Sequence, residues 1–171
     1  MPRLGYDVFE TGWGWIAVAA SAQGIRCTTL PRDTPEEALD DMLGMLHGDL
    51  PEECPRMVQS FRRQAKGYFL GERIHWDVSL DLGDAPPFFR RAWEACRTIP
   101  RGETRSYGWL AAQAGRPGAA RAAGQAMARN RVPLVVPCHR VIGSDGGLHG
   151  FGGAGRGLKA RLLRLEQSGV G

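Results

Sequence analysis

Residues 104–142 read TRSYGWLAAQAGRPGAARAAGQAMARNRVPLVVPCHRVI, and the first part of that stretch decides the architecture. Thr104 opens a helix running to about Ala114, Gly115-Arg116-Pro117-Gly118 makes a tight turn, and Ala119 to Arg129 forms a second helix. Two helices of about ten residues joined by so short a turn describe a helix-turn-helix. The second helix carries alanine at 119, 120, 122, 123, 126 and 128, with Gly124 among them. Small side chains let a helix backbone approach a partner closely, a DNA groove included. Alanine is also the best helix former and packs tightly in a core. Arg116, Arg121, Arg129 and Arg131 around the helix tip the reading toward the groove.

The second part of the stretch carries the chemistry. Pro133 to Val136 reads as a short buried extended segment that Pro137 stops immediately before Cys138, which would present a thiol at the end of a rigid apolar strand. His139 and Arg140 follow directly. A nearby base or cation lowers a thiol's pKa from its free value of ~8.5 and raises its thiolate fraction. The imidazole need not touch the sulfur, since a water can bridge them. On its own, a cysteine beside a histidine is more often an inert buried thiol than a nucleophile.

The rest of the chain sets the frame. With 171 residues, 43% hydrophobic and 23% charged, it is a folded globular protein of one substantial or two small domains. No apolar run approaches the ~20 residues of a membrane span, so no membrane association is expected. The start, MPRLGYDVFETGWGW, lacks the basic-then-apolar grammar of a signal peptide, which predicts a cytoplasmic location. Cys27, Cys54, Cys96 and Cys138 lie far apart, as reduced thiols do, and form neither a disulfide framework nor a zinc ribbon. Cys27, Cys54, His47 and His75 lack the spacing of a compact metal motif.

Charge is divided unevenly. Residues 1–84 hold 8 Lys/Arg against 14 Asp/Glu, net −6, whereas residues 85–171 hold 14 against 4, net +10. All but one of the cations in the second half are arginine, Lys159 being the exception, and guanidinium suits phosphate and base-edge contacts. A basic surface kept for solubility fits the charge as well as a nucleic-acid contact does, and the acidic half argues against a protein coated by nucleic acid throughout. In the acidic half, Trp15 to Leu30 reads as a hairpin around Ala22-Gln23-Gly24. Thr34-Pro35-Glu36-Glu37 is a capping box that opens a helix through about His47. Pro55 to Phe69 is helical in pattern, and Ile74 to Leu82 alternates like a half-buried strand. Gly83-Asp84-Ala85-Pro86-Pro87 is the boundary, giving an α+β domain over 1–84 and a mostly helical one over 85–171, with a helix from Phe88 to Arg97.

Pro137-Cys138-His139-Arg140-Val141, with Asn130 upstream, resembles the active-site signature of the O6-alkylguanine-DNA alkyltransferases (methylated-DNA–protein-cysteine methyltransferases). Pro87-Phe88, Trp93-Glu94-Ala95, Ile99-Pro100, Gly102-Glu103-Thr104, Ser106-Tyr107, Arg121-Ala122-Ala123-Gly124 and Leu162-Leu163-Arg164-Leu165-Glu166 fall where that family has them. Tyr68-Phe69-Leu70-Gly71 and Asp77 to Leu82 look like its lead-in, while residues 1–60 match only loosely. The resemblance implies a ribonuclease-H-like α+β N-terminal domain followed by a winged-helix, helix-turn-helix-type DNA-binding domain.

It also implies a site. Cys138 would accept the alkyl group, His139 would reach the sulfur through a water, and Glu166 would hold His139. Asn130 would fix the turn before the cysteine, and Tyr107 would give a proton to the departing guanine. Arg121 would fill the place of the extruded nucleotide, with Ala119, Ala120, Ala122 and Ala123 lying in the minor groove. Arg140, Val141, Phe151 and Gly152 are placed on the side of the base and the DNA, the carbonyls of Cys138 and Val141 accepting from the guanine amino group. The partner would be duplex DNA containing O6-alkylguanine, met by a monomer that can bind cooperatively. No metal or organic cofactor is required, and one turnover per molecule is expected because a thioether is stable to water.

Three departures stand out. Arg101 replaces the family's usual tyrosine, Phe89 a frequent glutamine, and Phe151 a usual tyrosine in the loop lining the alkyl pocket. The first two concern scaffold and surface, and the third bears on which alkyl groups fit. Gly150 to Gly155 matches G-x-G-x-x-G but has no following strand or acidic partner, so it reads as a site loop and not a dinucleotide fingerprint. Three other readings fit less well. A non-catalytic lesion binder would carry another residue at Cys138. A transcription factor would need polar groove-reading side chains. A Cys-His hydrolase would have no use for a basic helix-turn-helix.

Overall fold

A computed structural model describes residues 2–148 and 155–168. The chain forms two compact units that divide after Leu82. In the first, β1 (Gly5–Thr11), β2 (Gly14–Ser21) and β3 (Gly24–Thr28) make an antiparallel meander. Helix α1 (Pro35–Met45) then leads to β4 (Glu52–Glu53), which pairs parallel with β1, so the sheet order is β3-β2-β1-β4. Thr34 caps α1 by accepting from the Glu37 amide at 3.1 Å, with Pro35 at the first helical position, as the capping box predicts.

Residues 16–20 of β2 are all buried, because both faces of the sheet are covered. Ala17 and Ala19 pack with Ala38, Met42 and Leu46 of the α1 region, while Phe9 meets Phe61 of α2 (Gln59–Phe69) edge-on at 6.3 Å. Strand β1 escapes a reading by alternation because its buried face includes Asp7, 6% exposed and paired with Arg62 at 3.0 Å.

The expected strand over Ile74 to Leu82 does not form. One bridge joins Ile25 to Leu80, and the segment otherwise hangs from separate hydrogen bonds. The Ile25 amide donates to the Ser79 carbonyl and the Asp81 amide to the Ile25 carbonyl, each at 2.8 Å, and the Asp77 amide donates to Gln64 Oε1 at 2.8 Å. The alternation is that of an extended chain with one side buried, Trp76 stacking on Phe61 at 5.7 Å, with no continuous ladder.

The second unit holds α3 (Pro87–Arg97), β5 (Arg105–Ser106), α4 (Tyr107–Gln113), α5 (Ala120–Ala128), a 3-10 turn (Cys138–Arg140), β6 (Val141–Ile142) and α6 (Gly155–Ser168). Helix α4 begins three residues later than the sequence predicts. Arg105 and Ser106 are used instead to pair, parallel, with Val141 and Ile142, and Ser106 then caps α4 by accepting from the Trp109 amide at 3.0 Å. Gly115 and Gly118 supply the positive φ values, +89 and +83, of the turn between α4 and α5. Trp93 Nε1 donates to the Ala126 carbonyl at 2.8 Å, tying α3 to α5. Among the described residues no helix is long and apolar enough to cross a membrane.

Gly24 sits at φ +143 where the β2–β3 turn meets Ser79 and Leu80, and a Cβ there would run into the Ser79 carbonyl. Gly24→Ala combines backbone strain with a clash against main chain, so it should cost about 2–4 kcal/mol of stability. A thermal or urea unfolding curve matching the parent protein would contradict this packing.

Candidate active site

The chain leading to Cys138 is not the extended segment that the sequence predicts. Leu134 takes φ +76, Pro133 bridges Val136, and the Val136 amide returns to the Val132 carbonyl at 3.0 Å, so residues 132–136 close into a tight apolar turn. Pro133, Pro137 and the β-branched Val132, Val135 and Val136 favour extension locally, but Asn130 folds the segment back. Its Oδ1 accepts from the Val132 amide at 3.0 Å and its Nδ2 donates to the Val136 carbonyl at 2.8 Å. Pro137, at φ −79 and ψ 66, then makes an inverse γ-turn in which the Cys138 amide reaches the Val136 carbonyl at 2.8 Å. The thiol is therefore presented on a 3-10 turn whose position is fixed by a side-chain amide.

His139 is fully buried, and its Nε2 lies 2.7 Å from Glu166 Oε2. Arg140 grips the same carboxylate with a fork, Nε to Oε1 at 2.8 Å and Nη2 to Oε2 at 2.9 Å, while Nη1 donates to the Ile99 carbonyl at 2.7 Å. Expected on the DNA side, Arg140 is instead committed inward. With each of its three nitrogens donating to the protein, it holds Glu166 and the loop that follows α3. Burial by itself would raise the Glu166 pKa, but the hydrogen bonds of His139 and Arg140 and the Arg140 charge outweigh it and keep the group well below the usual carboxylate range. Burial pushes the His139 pKa down against the pull of Glu166, so the imidazole is neutral near pH 7.

A residue that sequence reasoning left unassigned completes the cluster. Lys159, 1% exposed on α6, donates to the Val141 carbonyl at 2.6 Å and lies 3.5 Å from the Tyr107 hydroxyl. The β5–β6 pairing sets this up, since Arg105 and Ser106 pair with Val141 and Ile142 and Tyr107, the first residue of α4, follows them directly. Burial lowers the Lys159 pKa and raises that of Tyr107. The clue was present: Lys159 is the single lysine among the cations of the second half. Cys138 itself is pushed up to about 11, chiefly by burial, with the Asn130 amide and the Lys159 charge pulling the other way. Cys96 on α3 is pushed well up too, chiefly by its own burial and then by Cys138 nearby. Both backbone carbonyls expected to accept from guanine already receive a donor, Cys138 from the Val141 amide and Val141 from Lys159. Each retains a second lone pair.

The alanine face divides. Arg121 and Ala120 are exposed and Ala119 and Ala122 half-buried, so they form the outer side of α5. Ala123 is fully buried with Ala126, turned to the core at helical spacing, and cannot line a groove. Phe151 and Gly152 lie outside the described residues.

Comparison with known proteins gives the chain its relatives. The family model described as 6-O-methylguanine DNA methyltransferase, DNA binding domain, matches residues 87–168. A methylated-DNA–protein-cysteine methyltransferase of Bacillus subtilis, described as constitutive, is 42% identical over 95% of this chain and 94% of its own length. The enzyme of that name from Mycolicibacterium paratuberculosis is 51% identical over 67% of this chain and 68% of its own. The chain belongs to the methylated-DNA–protein-cysteine methyltransferase family. A crystal structure of the Mycobacterium tuberculosis O6-methylguanine methyltransferase superposes with a TM-score of 0.80 at 36% identity, covering 98% of this chain and 95% of that one. A Mycobacterium tuberculosis OGT in complex with DNA gives the same TM-score at 37% identity, over 96% and 93%. In keeping with that family, the second unit is a helical DNA-binding domain and the first an α+β domain.

The buried thiol has a measurable consequence. With a pKa near 11, Cys138 of the DNA-free protein should react with iodoacetamide at pH 7 about a hundredfold more slowly than a free cysteine of pKa ~8.5. Its thiolate fraction grows tenfold per pH unit below the pKa, so the logarithm of the labelling rate should keep climbing past pH 9. A plateau by pH 8 would show a pre-formed thiolate instead.

Proposed function

We propose that this chain repairs DNA by moving the alkyl group of an O6-alkylguanine in duplex DNA onto Cys138 Sγ, once per molecule. The observation that carries the reading is the buried Glu166–His139 pair, 2.7 Å between heavy atoms, next to a thiol on a helix-turn-helix unit. With Nε2 on Glu166, His139 Nδ1 takes the part of the base and receives the thiol proton through a water. The sulfur lone pair forms the S–C bond as the C–O6 bond breaks, and its electrons pass into the guanine. Tyr107, kept a phenol by burial, returns a proton to the base, and Lys159 beside its hydroxyl stabilises the phenolate that remains. Proton return from His139 to Tyr107 leaves guanine and S-alkylcysteine as the products.

The lesion atom lies within the base stack, so the nucleotide must turn out, at a cost of a few kcal/mol that a weakened pair reduces. Arg121, exposed on the first turn of α5 between small residues, is suited to fill the gap. Asn130 holds the cysteine turn, and the second lone pairs of the Cys138 and Val141 carbonyls receive the guanine amino group. Phe151 and Gly152 we assign to the alkyl pocket. We read the domains as 1–84 and 85–171, the first ribonuclease-H-like, which the order β3-β2-β1-β4 with a helical crossover supports, and the second a winged-helix variant. A cytoplasmic monomer, with cooperative binding on DNA left to titration, completes the reading, and the chemistry calls for neither metal nor organic cofactor.

Intact-mass analysis tests it directly. Incubation with an O6-methylguanine duplex should add about 14 Da, one CH2, to Cys138. Cys138→Ser should abolish the gain while still binding the duplex, and transfer to another residue would sink the assignment. Glu166→Gln should slow single-turnover transfer at least tenfold by loosening His139. Its removal from the site follows if the rate is unchanged.

Arg121→Ala separates a base-extruding role from general attraction. At saturating protein the transfer rate on duplex should fall about a hundredfold, while the rate on free O6-alkylguanine base changes little, since only the duplex carries the unstacking cost. Full recovery at saturation would leave Arg121 as an affinity residue, and equal losses on both substrates would assign it to the fold.

A further inference from the structure

Glu166 stands in the last turn of α6, where a carboxylate is out of place. The C-terminal end of a helix carries partial negative charge, and the carbonyls of its last four residues have no amide donor within the helix. The last turn is also where helices fray. A grip on the carboxylate alone would leave that turn's backbone free to swing.

Arg101 holds the main chain of that turn. From the loop after α3, its Nε donates to the Glu166 carbonyl at 3.4 Å and its Nη2 to the Leu165 carbonyl at 3.3 Å. Both hydrogen bonds are long, so much of the effect is that of a cation placed at the negative end of a helix. Gly102, at φ +85, brings the loop backbone in, for a Cβ there would lie 3.9 Å from the same Glu166 carbonyl. Two residues before Arg101, the Ile99 carbonyl accepts from Arg140 at 2.7 Å. The loop over residues 99–102 therefore reaches Glu166 twice, through Arg140 on its carboxylate and through Arg101 on its main chain. Arg101 is one of the positions at which this chain departs from its family's usual pattern, and the sequence alone leaves it to scaffold and surface.

We propose that Arg101 is a positioning residue for alkyl transfer: by holding the last turn of α6 it fixes Glu166, and through Glu166 the orientation of His139. The proposal rests on the role assigned above to the His139–Glu166 pair, and its test separates the two.

Single-turnover transfer from an O6-methylguanine duplex is measured for the parent protein, Arg101→Ala, Glu166→Gln and the double variant, with duplex affinity and melting temperature alongside. Arg101→Ala should slow transfer about fivefold with affinity unchanged, a loss of the size expected between coupled residues. In the Glu166→Gln background the same substitution should change the rate less than twofold, because the path it acts through is already cut. Arg101→Lys, which keeps a cationic donor, should recover most of the rate. A parent-like rate for Arg101→Ala, or an equal factor in both backgrounds, overturns the proposal and leaves the His139–Glu166 reading standing. A parent-like rate for Glu166→Gln overturns that reading, and the role of Arg101 with it. Should Arg101→Ala fail to fold, Arg101→Gln and Arg101→Lys carry the same comparison.

Discussion

One buried carboxylate organises the second unit. Glu166 is 2% exposed, and removing such a charge from water costs several kcal/mol unless partners replace the solvent. Here His139 and the Arg140 fork replace it. Because those partners come from the cysteine turn and the glutamate from α6, satisfying one charge fixes the place of both. Arg140 extends the constraint to α3 through the Ile99 carbonyl. A buried pair of this kind is weak evidence for stability in itself, since apolar packing can do as well. Its value lies in fixing which nitrogen of His139 faces which way.

The first unit depends on a different economy. Five consecutive buried residues in β2 demand cover on both sides, and α1 and α2 provide it with alanines, a methionine and a cluster of aromatic rings. The sequence shows this only in part. The hairpin and the capped helix are legible because turn chemistry and capping are local signals. Strand β1 is not, because the buried Asp7 that pairs with Arg62 breaks its apolar alternation. Residues 74–82 mislead for the converse reason. Their alternation is real, but Gln64 and Ile25 take their backbone groups singly, and no ladder follows.

At the site, the residues named from the sequence are those that a short motif or a family register can carry. What escapes is whatever depends on direction in space. Arg140 follows the histidine in sequence, yet its side chain turns inward to Glu166. Ala123 belongs to the alanine run, yet the helical period points it at the core. Lys159 lies beyond a glycine-rich stretch of sequence and meets Tyr107 and Val141 where β5 pairs with β6. Periodicity could have separated Ala123 from Arg121. No local signal could have brought Lys159 to Tyr107.

The resting state of the thiol follows from the same burial. On the reading proposed above, a nucleophile used once gains nothing from standing ready, since any stray electrophile that reached a thiolate would consume the molecule without repair. Burial holds Cys138 near pKa 11, and burial also keeps His139 neutral and therefore able to accept a proton. The two shifts oppose each other in effect: one withholds the nucleophile, the other preserves the base that can release it. In the proposed reaction, transfer of the thiol proton becomes favourable when a new acceptor for the resulting electron pair, the alkyl carbon with its departing guanine, lies against the sulfur. Selectivity then resides less in the acidity of the cysteine than in the requirement that a base occupy the space beside it.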